Sequence, residues 1–263
     1  MTADAVRPYS VDAYRELLGR LVKDGWSFAG FLDESPADGR AIYLRHDVDY
    51  SLELAVELAE LNHELGVGGT FFIQVRAQLY NVFAQHETAR IRRLRSLGQR
   101  IALHYVGGGK SDVGVAGVLA DFELLKRVEP KLDPVFSWHN PTQAFFEDPE
   151  LQVPGLVNVY GERFFQDMPY FSDSVHRVSV DELVSAVVNE KSSEFQLLLH
   201  PVNWIAGGAS GIEILIRGWS RVLRDQERTL RTNRSYNPRF PAGMPPDLIA
   251  QLERELLAAA AAG

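Results

Sequence analysis

"YLRHDVDYSLELAVELAELNHELGVGGTFFI", residues 43–73, decides the fold. An apolar run reads as a strand, the stretch after Ser51 has helical apolar spacing that stops at Gly66, and "TFFIQV" reads as a second strand. The first run carries Arg45, His46, Asp47 and Asp49 where a buried strand normally has Val and Ile. Alternation puts Arg45, Asp47 and Asp49 on one face, with His46 and Val48 on the other. Two neighbouring carboxylates repel, and desolvation adds to the cost, unless a cation neutralises one of them.

The same alternation of elements continues outward. "AIYLRHDVD" begins it; after "TFFIQV" come a helix through "ETARIRRLRSLG", the strand "RIALHYV", a helix "VAGVLADFELLKRV" and the strand "PVFSWHN". Short strand-like pieces at "LVNVY" and "YFSDS" precede a helix from Val180 to about Lys191, the strand "FQLLLHP" and a last helical region from near Gly211. Strands alternating with helices imply parallel strands joined by crossovers, in a doubly wound sheet or a barrel. With no repeat or long linker, residues 1–263 are expected to form one domain. "VGGGKSDVG" (106–114) is the most flexible-looking segment, and "LERELLAAAAAG" a frayed helix end.

Composition narrows the chemistry. The chain is 46% hydrophobic and carries a net charge of −8, which argues against nucleic-acid or anionic-membrane partners. It has no cysteine, so disulfides and thiolate catalysis are excluded and any metal must take His and carboxylate ligands. The N-terminal residues show no basic stretch followed by an apolar one, and no apolar run approaches the roughly 18–20 residues of a membrane span. A cytoplasmic location is the expectation.

Polar residues recur at strand ends: Asp47 and Asp49 in the first strand, His104 in "RIALHY", His139 in "PVFSWHN", His200 in "FQLLLHP". In a parallel barrel these ends share the face where active sites are built; in an open sheet they line the switch-point crevice. The charge is therefore expected at the strand's exit. Imidazole and carboxylate without thiolate suit a divalent metal, zinc first, in an open catalytic site.

These residues resemble the polysaccharide deacetylases, the carbohydrate esterases built on the NodB-type deformed (β/α) barrel. Residues 43–73 resemble the family's first motif, an Asp pair followed by a helix and a Gly-x-x-x-Thr-Phe-Phe strand. "YNVFAQHETARIRRLRSLGQRIALHY" looks like the segment leading to the metal-binding histidine, and "VFSWHNP" and "LLLHPVNW" like the later motifs. The match runs from about residue 40 to 205, its four motifs in the family's order. The pattern is similar to a divergent branch from bacterial surface-polysaccharide synthesis, such as O-antigen and lipopolysaccharide pathways.

The resemblance implies a deformed barrel of about seven parallel strands. It implies Asp47 as general base, Asp49 and His104 as metal ligands, and His200 as general acid. The family's second metal histidine falls on Gly108, a departure, and strand-end convergence offers His139 as the third ligand instead. The metal would polarise an acetamide carbonyl, Asp47 would take a proton from the attacking water, and His200 would protonate the departing amine. Arg45 is expected to hold Asp47 ionised, Asp173 to orient His200, and Trp204 to offer a stacking face to a sugar, inside an aromatic mouth of Tyr80, Tyr105, Trp138, Tyr170 and Trp204. The substrate would be an N-acetylated sugar, nucleotide- or lipid-linked.

Other functions stay open: a cyclic amide or ureide hydrolase on the same fold, or an inactive glycan-binding barrel, which the Gly108 departure favours. Asp47 and Asp49 paired with Arg45 would also serve a purely structural role. His46 is expected to bond within the helix layer, His63, His86 and His176 to be solvated, and Trp219 in "IEILIRGW" to serve helix packing. "GGGK" lacks the Walker spacing of a phosphate loop.

Overall fold

A computed structural model of the chain describes residues 7–34, 39–107, 114–140, 152–174, 178–232, 234–235 and 246–262. Gly108, His176 and most of the segment 106–114 lie outside the described residues.

The strand of the deciding stretch, β2 (Ala41–Val48), is buried along its whole length and is the centre of the sheet. β3 (Thr70–Ile73) pairs with one side of it and β8 (Glu194–Leu198) with the other. β4 (Arg100–Tyr105), β5 (Val135–Trp138) and β6 (Val157–Asn158) continue beyond β3, and β7 (Tyr170–Ser172) lies outside β8. The order is β6-β5-β4-β3-β2-β8-β7, seven strands, with a further short strand β1 (Ser27–Ala29) beside the start of β2. Every pairing is parallel.

Helices supply the crossovers: α2 (Leu52–Glu64), α3 (Gln85–Ser96), α4 (Val115–Val128) and α5 (Val180–Val188). Ser51 caps α2 by accepting from the N–H groups of Glu53 and Leu54, and Gly66 ends it at φ 69°, where a side chain would be strained. After β8 come α6 (Pro201–Ile205), α7 (Gly211–Leu230) and α8 (Pro246–Ala262). Among the described residues no helix is long and apolar enough to cross a membrane.

Two buried clusters show that the sheet curls. The outward side chains, such as Ile42, Leu44, Phe71 and Ile101, pack against the helices. The inward ones, Tyr43, Phe72, Ala102 and Val135, form a separate core with Phe31, Val159, Phe164 and Met168. The edges are bridged as well: the Gln196 amide of β8 donates to the carbonyls of Val159 (3.1 Å) and Phe164 (2.7 Å), just beyond β6. The result is a curled half-barrel of parallel strands with helices outside, as the resemblance implies.

Among the elements not anticipated from the sequence are β1, the short α6 and α1 (Val11–Lys23). Helix α1 has a Ser10 cap and buries Ala13, Tyr14, Leu17, Leu18 and Leu21 at helical spacing, so its signal was present in the residues. The charge also sits deeper than a strand's exit. Arg45 and Asp47 lie within β2, Arg45 in register with Thr70 and Leu198, and only Asp49 lies beyond the strand.

His46 points outward, as alternation requires. Its Nδ1 lies 3.0 Å from the Leu199 carbonyl and its Nε2 lies 3.2 Å from the Asn62 amide, which in turn accepts from the Tyr14 hydroxyl. Burial pushes this imidazole down to about 4, against the bond to Leu199. Between the ordinary histidine value and about 4 the unfolded chain therefore binds a proton that the folded chain does not. This contribution to stability is present above pH ~6.5 and is lost as pH falls through the folded value. Urea unfolding of wild type and His46→Gln between pH 7 and 4 should show a steeper loss in the wild type; parallel curves would contradict it.

Candidate metal centre

Each polar side chain reaches the centre from a different strand end. Asp49 follows β2, His104 is the fifth residue of β4, His139 follows β5 and His200 follows the strand β8. Asp49 Oδ1 lies 3.1 Å from His104 Nε2 and 3.3 Å from His139 Nδ1, and those two nitrogens are 3.2 Å apart. Three ligands of a tetrahedral zinc with bonds of about 2.0–2.2 Å would be spaced by roughly 3.4 Å. The three atoms thus fit one face of a tetrahedron, and the Gln74 amide nitrogen lies against two of them, Asp49 Oδ1 and His139 Nδ1. His104 is oriented from behind, its Nδ1 lying 2.7 Å from Ser137 Oγ. In the tautomer a metal requires, Nδ1–H donates to Ser137 and the Nε2 lone pair faces Asp49.

Asn140 has a left-handed backbone (φ 51°), which Asn tolerates better than most residues. It turns the chain out of β5 and places its amide 3.0 Å from His139 Nε2. Gln74, at the exit of β3, donates to Asp49 Oδ1 at 2.7 Å. Burial would raise the Asp49 carboxyl, but the bonds to His104 and His139 hold it well below the usual carboxylate range.

The two aspartates are neutralised in different ways. Asp47 is gripped by a bidentate pair: Arg45 Nε donates to Oδ1 at 2.8 Å and a terminal nitrogen to Oδ2 at 2.6 Å, with both side chains buried. The Tyr160 hydroxyl accepts a further bond from Arg45 at 3.1 Å. Burial opposes ionisation of Asp47, yet the guanidinium, with His104 and His200, holds its carboxyl below the ordinary value. Asp47 Oδ2 lies 3.5 Å from His104 Nε2, so this anion borders the metal-ligand cluster.

His200 faces Asp49 Oδ2 across 3.7 Å and is held from behind by Asp173. Asp173 accepts from the backbone N–H of His200 and from the Trp204 indole N–H (2.8 Å), and lies 2.6 Å from His200 Nδ1. Burial alone would lower the His200 imidazole, but Asp173, then Asp49 and Asp47, outweigh it and raise the group to about 9. Asp173 therefore favours the protonated form of this imidazole. Asp173→Asn keeps the shape and removes the charge, and should move the alkaline limb of a pH–rate profile down by about 1–2 units. An unmoved limb would show that Asp173 does not tune His200.

Several expectations need correction. Trp204 is fully enclosed between Tyr9 and Tyr14, so it offers no face to a ring and acts only by holding Asp173. Tyr80, Tyr105 and Trp138 are buried too, because alternation turns Tyr105 and Trp138 into the helix layer. Trp219 of α7, 53% exposed and assigned from sequence to helix packing, lines the mouth instead, together with Tyr50. The centre opens on a cavity of about 700 Å³ whose walls include Asp49, Gln74, His139 and Trp219. A smaller one of about 260 Å³ lies beside His200, Val202, Ile214 and Leu215.

Sequence reasoning also passed over Gln74, Ser137's bond to His104, and Tyr160. Gln74 carries the same signal as the histidines, a polar residue at the end of an apolar strand. A second cluster, His86, Glu87 and Asp225, also has metal-like spacing. Arg90 already donates twice to Asp225, at 2.6 Å, and once to Glu87, at 3.1 Å, so those charges are neutralised without an ion.

No family model matches the chain, and no curated protein sequence does. Solved structures do. A peptidoglycan deacetylase of Bdellovibrio bacteriovorus is 15% identical over 76% of this chain and 52% of its own, with a TM-score of 0.44. The chain thus spans about half of that protein's length. A chitin deacetylase of the fungal pathogen Colletotrichum lindemuthianum is 17% identical over 65% of this chain and 77% of its own, TM-score 0.45. A CE4 family pseudoenzyme from Bacillus anthracis is 13% identical over 72% of this chain and 63% of its own, TM-score 0.42.

Proposed function

We propose that the chain is a divalent-metal-dependent hydrolase that removes the N-acetyl group from a sugar or sugar precursor in bacterial surface-polysaccharide synthesis. One observation carries it: two carboxylates and three imidazoles from four strand ends meet at one point, each with a different partner behind it. Binding alone would not need a buried base and a protonated acid facing the same metal-ligand cluster.

Asp49, His104 and His139 would hold the metal, with zinc the best match to the donor set. Bound there, a divalent ion supplies Lewis-acid polarisation of the acyl carbonyl. The remaining work belongs to the chain. Arg45 keeps Asp47 ionised and fixed, so that it can take a proton from water. Asp173 keeps His200 protonated, so that it can give a proton to the departing nitrogen. The small cavity beside His200, with Val202, Ile214 and Leu215 in its wall, suits a short acyl group. His139 takes the part that Gly108 does not fill.

Acetate release from N-acetylated monosaccharides, chito-oligosaccharides and sugar nucleotides, measured before and after chelation, tests the proposal. Release that stops with chelator and returns with zinc is expected. A chain that holds metal but frees no acetate from any of them would overturn it.

A further inference from the structure

The wall of the larger cavity carries two side chains that the chemistry above does not use. Arg76 lies two residues beyond Gln74, past the exit of β3, and its side chain is 62% exposed. Its Nε–H donates to both oxygens of Asp121, at 3.1 and 3.2 Å, and Asp121 is itself buried. Among the described residues Asp121 is its only partner, which leaves the two terminal nitrogens for a ligand. A guanidinium fixed at Nε with its far edge open has the geometry that binds phosphoryl oxygens in pairs. Trp219 stands in the same cavity, with Leu215 one turn earlier on α7. Its exposed indole gives the cavity an aromatic face beside the polar centre.

The charge balance makes the same point. The chain carries −8 overall, so an anionic substrate gains from a cation on its path into the cavity. The cavity, about 700 Å³, has room for a sugar with a substituent beyond it.

We propose that this cavity binds a glycosyl phosphate, with the sugar ring against the Trp219 indole and the phosphoryl group on the terminal nitrogens of Arg76. The inference rests on the deacetylase proposal for the ring's orientation toward Asp49 and His139, but its test does not need turnover. Arg76 and Trp219 then set which sugars enter, and neither takes part in bond breaking.

The test is calorimetric titration of zinc-loaded protein with UDP-glucose, glucose 1-phosphate and methyl glucoside, which have no acetamide to lose. Wild type should bind both phosphorylated sugars at least about tenfold more tightly than the neutral one. Arg76→Gln should remove that preference, Arg76→Lys should restore part of it, and Trp219→Ala should weaken all three alike. The preference should also shrink with added salt. If UDP-glucose and glucose 1-phosphate bind equally, the phosphoryl group alone is read, as on a lipid carrier. Tighter UDP-glucose binding marks a nucleotide carrier, and either result supports the site. A preference that survives in Arg76→Gln, an unchanged affinity in Trp219→Ala, or no binding at all overturns it. Acetate release with an unchanged phosphate preference would sink this inference alone. The expected binding pattern without acetate release would sink the deacetylase proposal and leave the site standing.

Discussion

Replacing Asp47 by Asn is expected to lower turnover by about 10²–10⁴-fold while the metal stays bound, the range for a lost proton acceptor. The metal should stay because Asp49, His104 and His139 form the ligand cluster without Asp47. The substitution also leaves the Arg45 guanidinium buried opposite a neutral amide, and among the described residues one terminal nitrogen of Arg45 already has no hydrogen-bond partner. Breaking a buried pair of this kind costs about 3–5 kcal/mol, so a lower unfolding midpoint should accompany the loss of activity. A second variant separates the two effects. Arg45→Gln keeps the carboxylate and removes the cation that holds it ionised against burial, so the acid limb of the pH–rate profile should move to higher pH. Turnover by Asp47→Asn near the wild-type level would mean that another group takes the proton.

His104→Ala should be the most damaging substitution for metal retention. Its Nε2 is within 3.5 Å of Asp47, Asp49 and His139, so it is the central ligand of the cluster. Loss of an outer-shell partner alone typically weakens a metal by about 10–100-fold, the range expected for Ser137→Ala. Removing the ligand itself should exceed that, and turnover should disappear with the metal. Equilibrium dialysis against zinc ranks the variants: wild type tightest, Ser137→Ala weaker, His104→Ala weakest. Equal affinities for all three would place the metal elsewhere.

The course of the chain was legible because period 2 and period 3.6 alternate cleanly from Ala41 to Leu198. The same alternation told which side of β2 each charge faces, so Arg45, Asp47 and Asp49 were grouped correctly and His46 was sent to the helices. What it did not give was depth. Whether Arg45 lies inside the barrel or at its mouth depends on how far β3 and β8 run beside it, which is a matter of register between distant segments. The direction of side chains beyond strand ends was equally hidden. Trp204 sits on the one-and-a-half turns of α6, and its inward rotation toward Tyr9 and Tyr14 is set by α1, an element not recognised from the sequence. Trp219 failed the opposite way. Its helix looked self-sufficient, and only the meeting of α7 with the strand ends brings that indole to the centre.

The site's logic explains the charge in the strand. A barrel interior accepts Arg45 because Asp47 and Tyr160 bind two of its three nitrogens, and it accepts Asp49 because two imidazoles face it. Well-packed apolar residues would serve stability at least as well as such an arrangement, which is why its presence supports the chemistry proposed at this end of the sheet.

Metal analysis of purified wild type beside His139→Ala tests this account most directly. About one divalent ion per wild-type chain, lost or greatly depleted in His139→Ala, is the predicted result for a three-ligand open site. A wild type that takes up no zinc, or a His139→Ala chain that holds it equally well, would contradict the metal centre and with it the proposed hydrolysis.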